Sequence, residues 1–393
     1  MAALKESEQK PERKQVMSVY KRKSGRYAVR IDLEASTLGG RRRKSIGTFA
    51  TKKDAERAER EALRLRDRGV DLAPEELTIK GLLDRYAARC RAKALATKTL
   101  ERYAELAECH ILPVIGAVTL VRLKPAHVLN VYATAAAKGL SPKSIRHVHS
   151  LLHAALDWAV EQNLCFRNVA DVAKRDLPRA QRSPARALTE DEADRLLAAA
   201  VGTPWHAFFT LAFCTGARRA ELAALRWPSV NLERGEITIA ESVVKTNAGL
   251  EFKGTKTGSV RIVPLNAPAI AALKSHRAAQ SAERLRVGEA YDARGYVFAD
   301  PLGRPWNPGS IGNAFARHAR IAKVSSTRLH DARHSTATWL LQDGVDVKTV
   351  ASILGHSSAV TTLTTYAHVM PGAQAQAVEV IAKRLGRAKS GGP

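Results

Sequence analysis

Six residues in the second half of the chain stand out by type and order: Arg218, Lys256, His330, Arg333, His356 and Tyr366. Two arginine forks can grip the non-bridging oxygens of one anionic centre. His330 and Arg333 are spaced i, i+3, so one helical face presents both. Gly355 follows the apolar run VASIL and reads as a helix C-cap, which leaves His356 just outside the helix and free to point into a cleft. Lys256, beside Thr257 and Gly258, is placed at a hairpin tip from which an ammonium can reach a leaving oxygen. Tyr366 follows ten residues after His356, in a segment rich in threonine. Covalent cleavage of a phosphodiester needs a nucleophile, stabilisation of the charged phosphorane and a proton for the leaving oxygen.

These residues fall in four segments: TGARRAELAALRW (215–227), KGTKTGSVRIVPL (253–265), LHDARHSTATWLLQDGVDVKTVASILGHSS (329–358) and TTLTTYAHV (361–369). In this order and at these intervals they resemble the tyrosine recombinase (phage integrase) family over residues 187–370. The resemblance implies that Arg218, Lys256, His330, Arg333 and His356 surround a scissile phosphate, that Tyr366 attacks it, and that Glu221, at the acidic position after the first arginine in the family pattern, buttresses the site rather than reacts. The products would be a 3′-phosphotyrosine and a free 5′-hydroxyl. The ester keeps the bond energy, so rejoining needs no ATP. No cofactor is expected and no metal, since the sequence offers no acidic cluster to hold Mg²⁺. Ala220 stands where family members often have glycine, a departure expected to touch packing rather than chemistry.

Composition points the same way. Of 393 residues, 63 are Lys or Arg and 38 are Asp or Glu, a formal net charge of +25. Such an excess destabilises a compact chain by self-repulsion and is most simply balanced by a polyanion. At 45% hydrophobic the chain has material for real cores. No segment is long and apolar enough for a membrane helix, and the polar N-terminus lacks a signal-peptide core. The four cysteines are far apart, which suggests neither a disulfide framework nor a zinc module. A bacterial cytoplasmic protein working on DNA, with no membrane partner, is the expectation.

The elements that must position the six residues follow from the patterning. The fold class expected is multidomain α+β. Residues 1–15 read as a disordered basic tail. Residues 16–70 form a small three-stranded sheet plus a helix, with Tyr27, Val29, Ile31 and Leu33 alternating onto one face and Thr51 opening the helix. Residues 75–176 are all-helical. Thr78 and Thr97 start its first two helices, Pro113 and Gly116 break the second, and Ser141–Pro142 opens a long one with Ile145, Val148, Leu152, Leu156 and Ala159 buried. His147, His149 and His153 are expected to pack rather than bind metal. Residues 177–186 are a linker. Residues 187–375 are a mainly helical catalytic domain with a small antiparallel sheet, in which EITIAESVV and SVRIVPL run as strands around Gly254 and Gly258. Residues 376–393 carry a C-terminal helix and tail, with Val378, Ile381, Ala382 and Leu385 in one stripe.

The N-terminal segment also resembles the arm-binding domain of integrases, and residues 75–176 their helical core-binding domain. Arg22, Lys23, Arg26, Arg41, Arg42, Arg43 and Lys44 are the expected DNA contacts of the arm domain. The resemblance implies a site-specific recombinase that integrates and excises a mobile element. Its partners would be double-stranded DNA at core and arm sites, three further copies in a tetramer on DNA, and an accessory bending or excision-directing protein. The alternatives are a recombinase that resolves replicon multimers and a non-catalytic DNA-binding regulator.

Overall fold

The computed structural model describes residues 18–22, 25–33, 42–67, 77–165, 167–179, 186–254, 260–324, 326–355 and 358–366, with Val378, Ile381 and Ala382. The chain divides into two units, Met1–Gln181 and Arg182–Pro393. Among the described residues no helix is long and apolar enough to cross a membrane. The architecture is mainly helical with small antiparallel sheets, as the patterning predicts.

The first unit begins with β1 (Ser18–Lys21), β2 (Tyr27–Leu33) and β3 (Arg42–Phe49), antiparallel in that order. Helix α1 (Lys52–Asp67) follows. The Thr51 hydroxyl caps it, accepting from the Asp54 amide at 3.2 Å and donating to the Asp54 carboxylate at 2.7 Å. Of the residues expected to alternate onto one face of β2, Val29 is buried and Tyr27 half-buried. Register shifts between Val29 and Arg30, and the neighbours Ala28 and Val29 are both buried. The partners jump there from Gly47 to Ser45, so the extra residue, Ile46, belongs to β3, and the side chains of Ile31 and Leu33 lie outside what the structure describes. Arg22 and Arg26 are exposed on either side of the turn at Gly25. Arg42, Arg43 and Lys44 lie in β3 opposite Leu33, Asp32 and Ile31. Lys23 and Arg41 lie outside the described residues.

The helical part of this unit contains α2 (Ile79–Ala92), α3 (Thr97–Leu106), α4 (Leu112–Ile115), α5 (Pro125–Ala137), α6 (Pro142–Glu161) and α7 (Ala170–Ala173). Its core centres on Ile79, Leu82, Leu106, Ile111, Leu152 and Leu156, and the predicted α6 stripe is buried throughout. Pro113 does not break the second helix. A π-helical turn, Ala107–Ile111, shifts the hydrogen-bond register there, and Pro113 sits in the first turn of α4, where its missing N–H costs little. The chain ends its run only at Gly116. His149 shares a 2.6 Å bond with the Tyr132 hydroxyl, and His153 lies between Asp157 and Asp171.

The second unit opens with α8 (Glu190–Ala200), capped by the reciprocal Thr189–Glu192 bonds that its sequence announces. Helices α9 (Trp205–Thr215) and α10 (Arg219–Ala224) follow. Next come β4 (Val230–Asn231), β5 (Glu236–Ile239), β6 (Glu241–Thr246), β7 (Gly249–Gly254) and β8 (Arg261–Pro264). Helices α11 (Ala267–Val287), α12 (Pro308–Ile321), α13 (Leu329–Gln342), α14 (Val347–Leu354) and α15 (Ala359–Tyr366) complete it. Phe208, Phe209, Phe298 and Phe315 are fully buried, and Phe208–Phe298 and Phe209–Phe315 meet edge to face at 4.8 and 5.2 Å.

The strand reading needs correction. EITIAESVV is two strands in two sheets: β5 pairs with β4 and β8, whereas β6 pairs with β7. The tight hairpin of β6 and β7 turns at Asn247–Ala248, with Gly249 at φ +128°, while Gly254 ends β7 and Gly258 lies outside the described residues. Lys256 therefore falls in the connection from β7 to β8, outside the described residues. Of the C-terminal stripe, Val378 and Ile381 are helical and exposed, and Leu385 lies outside the described residues.

Candidate active site

Arg218 is the N-cap of α10, extended at φ −69° and ψ 145°. Its amide donates to Glu221 Oε2 at 2.9 Å and its Nη1 to Oε1 at 2.8 Å. Its Nη2 donates to the Gly355 carbonyl at 3.0 Å. One guanidinium thus ties the start of α10 to the end of α14. Gly355 sits at φ +68°, where glycine alone is unstrained, and an added Cβ would lie 2.7 Å from the Arg261 guanidinium carbon. The predicted C-cap is therefore doubly required. His356, just beyond it, lies outside the described residues.

Arg261 on β8 was not singled out from the sequence. It donates to Glu221 Oε1 and Oε2 at 3.2 and 2.6 Å and to the Ile353 carbonyl at 3.3 Å. Glu221 is 3% exposed. Its burial opposes ionisation, but bonds from Arg261 and Arg218 outweigh that and hold its carboxyl below the ordinary range. The buttress predicted for Glu221 is thus a carboxylate shared by two arginines.

Arg333 on α13 is 4% exposed. Its Nη1 donates to the Gly216 carbonyl at 2.7 Å, while its buried Nη2 has no partner among the described residues. Gly216 caps α9 at φ +59°, and a Cβ there would come within 2.6 Å of Leu354. Burial, then the Arg218 charge, lowers the Arg333 guanidinium to about 10. A sealed cation with a spare donor is costly unless an anion arrives.

His330, one turn before His334, keeps an open edge. Loss of hydration over the rest of its ring, then His334 and Arg333, push it down to about 4. Arg218, His330 and Arg333 line one cavity of about 530 Å³, with Arg219 and Ala220 also on its wall. Tyr366, at the end of α15, is not on that wall. It is 2% exposed, and its hydroxyl lies 2.6 Å from Nδ1 of His334. His334 was also missed from the sequence, although its i, i+4 spacing from His330 places the two rings edge to face at 4.7 Å.

The structure thus brings Arg218, Glu221, His330 and Arg333 together, sets Tyr366 behind them through His334, and does not describe Lys256 or His356. The arrangement offers cationic donors for an anion and a phenol beside an imidazole. Residues 186–372 match the phage integrase family and residues 17–64 the arm DNA-binding domain. An integrase of Streptomyces ambofaciens is 30% identical over 340 residues, covering 83% of this chain and 85% of that protein. This chain belongs to the phage integrase family of tyrosine recombinases. Another relative, named tyrosine recombinase XerC-like, from Caldanaerobacter subterraneus, is 29% identical and covers 62% of this chain and 67% of its own length. The solved structure of the Tn1549 transposon integrase with a circular intermediate DNA shares the fold. Its TM-score is 0.65 at 21% identity, covering 78% of this chain and 99% of that one.

Proposed function

We propose that the protein is an integrase that cleaves and rejoins DNA to insert and excise a mobile genetic element. The observation that carries this reading is the buried Nη2 of Arg333, which has no partner among the described residues, in a cavity that Arg218 and His330 also line. A phosphate oxygen is the acceptor such a donor lacks. In this reading Arg218 and Arg333 grip the non-bridging oxygens and stabilise the phosphorane. His330 and His356 complete the ring of donors. The Lys256 ammonium protonates the leaving 5′-oxygen, and Tyr366 becomes the 3′-phosphotyrosine. Glu221 holds Arg218 in place. Rejoining reverses each step without ATP or metal.

The domain assignments belong to the same proposal. Residues 16–70 bind arm sites through Arg22, Lys23, Arg26, Arg41, Arg42, Arg43 and Lys44. Residues 75–176 close over the core site, residues 177–186 connect, residues 187–375 catalyse, and residues 376–393 join neighbours in a tetramer on DNA. An accessory DNA-bending or excision-directing protein assists, in the bacterial cytoplasm. The XerC-like relative supports a second reading, a recombinase that resolves replicon multimers. The arm-domain match over residues 17–64 favours the integrase.

The test is covalent capture on nicked suicide DNA. Tyr366→Phe keeps the ring and loses the nucleophilic oxygen, so it should bind DNA as the parent does and form no adduct. An adduct that persists in this variant sinks the assignment.

A further inference from the structure

The 2.6 Å contact between Tyr366 and His334 does not belong to the anion cavity, and it bears on how the phenol loses its proton. Burial pushes the Tyr366 phenol up to about 12, with the Arg333 charge pulling the other way. At neutral pH such a phenol is fully protonated, so its proton must leave during attack. His334 is half-buried, and burial, then the charges of Arg333 and Arg328, hold its imidazole below the ordinary range against the opposing pull of Asp331. A neutral imidazole has one bare nitrogen. Since the phenol keeps its proton, the hydroxyl donates and Nδ1 accepts, which places the ring N–H on Nε2.

We propose that His334 is the proton acceptor for the Tyr366 hydroxyl during strand cleavage. The step rests on the recombinase reading above. The Tyr366 oxygen forms its bond to phosphorus and the P–O5′ bond breaks. The phenol proton passes to His334 Nδ1, and O5′ takes a proton from the Lys256 ammonium. Religation returns both protons along the same paths. His330 meets the His334 ring edge to face at 4.7 Å and keeps it aimed. Among the described residues, it and Arg328, Asp331, Arg333 and Tyr366 are the titratable and charged groups facing His334. Arg333 is near enough to favour the phenolate as it forms, which couples the phosphate-gripping residue to the nucleophile.

The experiment uses the full chain and a nicked suicide duplex built on the junction between the element and its host chromosome. His334→Asn keeps an acceptor beside the hydroxyl but cannot take a proton. It should bind DNA as the parent does and cleave about 10²–10⁴-fold more slowly in a single turnover, the usual loss for general-base removal. The parental rate should be flat near neutral pH and fall only below the usual imidazole value of about 6.5. The His334→Asn rate should instead climb about tenfold per pH unit, following the phenolate fraction. His334→Ala should recover part of its rate with added imidazole. Parental speed in His334→Asn, a slowed variant with the parental pH profile, or a faster His334→Ala each overturns the proton-acceptor role. The last outcome would make the contact a store for an idle nucleophile. A parent that forms no adduct refutes the recombinase reading, a result distinct from an active parent beside unaffected variants.

Discussion

Arg22, Arg26 and Arg30 on the N-terminal sheet are exposed, whereas Arg333 is 4% exposed and the Arg261 side chain 12%. The exposed group stays hydrated and can meet a phosphate anywhere along a backbone, at a strength that salt screens. The buried pair has surrendered its hydration, and each guanidinium is fixed by named acceptors: Gly216 for Arg333, and Glu221 and Ile353 for Arg261. What burial removes in freedom it returns as geometry, with one Arg333 donor left without a partner among the described residues. In the proposed function the same side chain therefore supplies affinity in one region and preorganisation in the other.

The largest effect should come from Arg333. Arg333→Lys keeps a charge but loses the planar fork that reaches the Gly216 carbonyl and, in the proposed function, a phosphate oxygen. Cleavage of suicide DNA should fall by about 10²–10³-fold, the loss seen when one oxyanion donor is removed. Affinity by gel shift should change far less. A variant that loses binding in proportion to cleavage would erase the distinction between the two sets of arginines.

Glu221 tests how the buried arrangement is held. Glu221→Gln leaves Arg218 and Arg261 facing an amide, and breaking a buried pair costs about 3–5 kcal/mol. The folded-state carboxyl is depressed, so its stabilisation is complete above the usual glutamate value of about 4.3 and is lost as pH falls through the lower folded value. The stability gap between parent and variant, read by urea unfolding, should be flat near neutrality and close in acid. A gap that widens in acid would contradict the ion-pair account.

Much of this site was legible before folding was known. Thr189 and Glu192, Gly355, and the i, i+3 pair His330 and Arg333 carry local signals, and local signals depend only on neighbours in sequence. Arg261 was not legible, because its partners are Glu221 and Ile353, on elements far from β8 in the chain. His334 had a weak signal in its spacing from His330, but its partner Tyr366 lies 32 residues on. Pro113 misled for a different reason: a π turn moved the hydrogen-bond register, and periodicity carries no mark of that. The hairpin at Asn247–Ala248 was hidden because EITIAESVV looks like one strand, and the exchange of partners at Ala240 is a tertiary choice.

The smallest effect should belong to the arm arginines one at a time. Arg22 and Arg26 flank the turn at Gly25 and are exposed, so neither holds the sheet together by burial. Replacing either with alanine removes one counterion-releasing contact at most. The logarithmic salt dependence of arm-site binding should flatten by about one unit per arginine, and affinity should weaken similarly across sequences. Folding stability should shift by less than about 0.5 kcal/mol, as for surface changes generally. Cleavage of a core-only duplex should stay at the parental rate, because that duplex presents nothing to the sheet. Salt titrations with an arm duplex and single-turnover cleavage with a core duplex separate the two terms. If Arg26→Ala slowed core cleavage while leaving the arm salt slope intact, the sheet arginines would be acting through geometry as the buried ones do, and the division between the regions would fall.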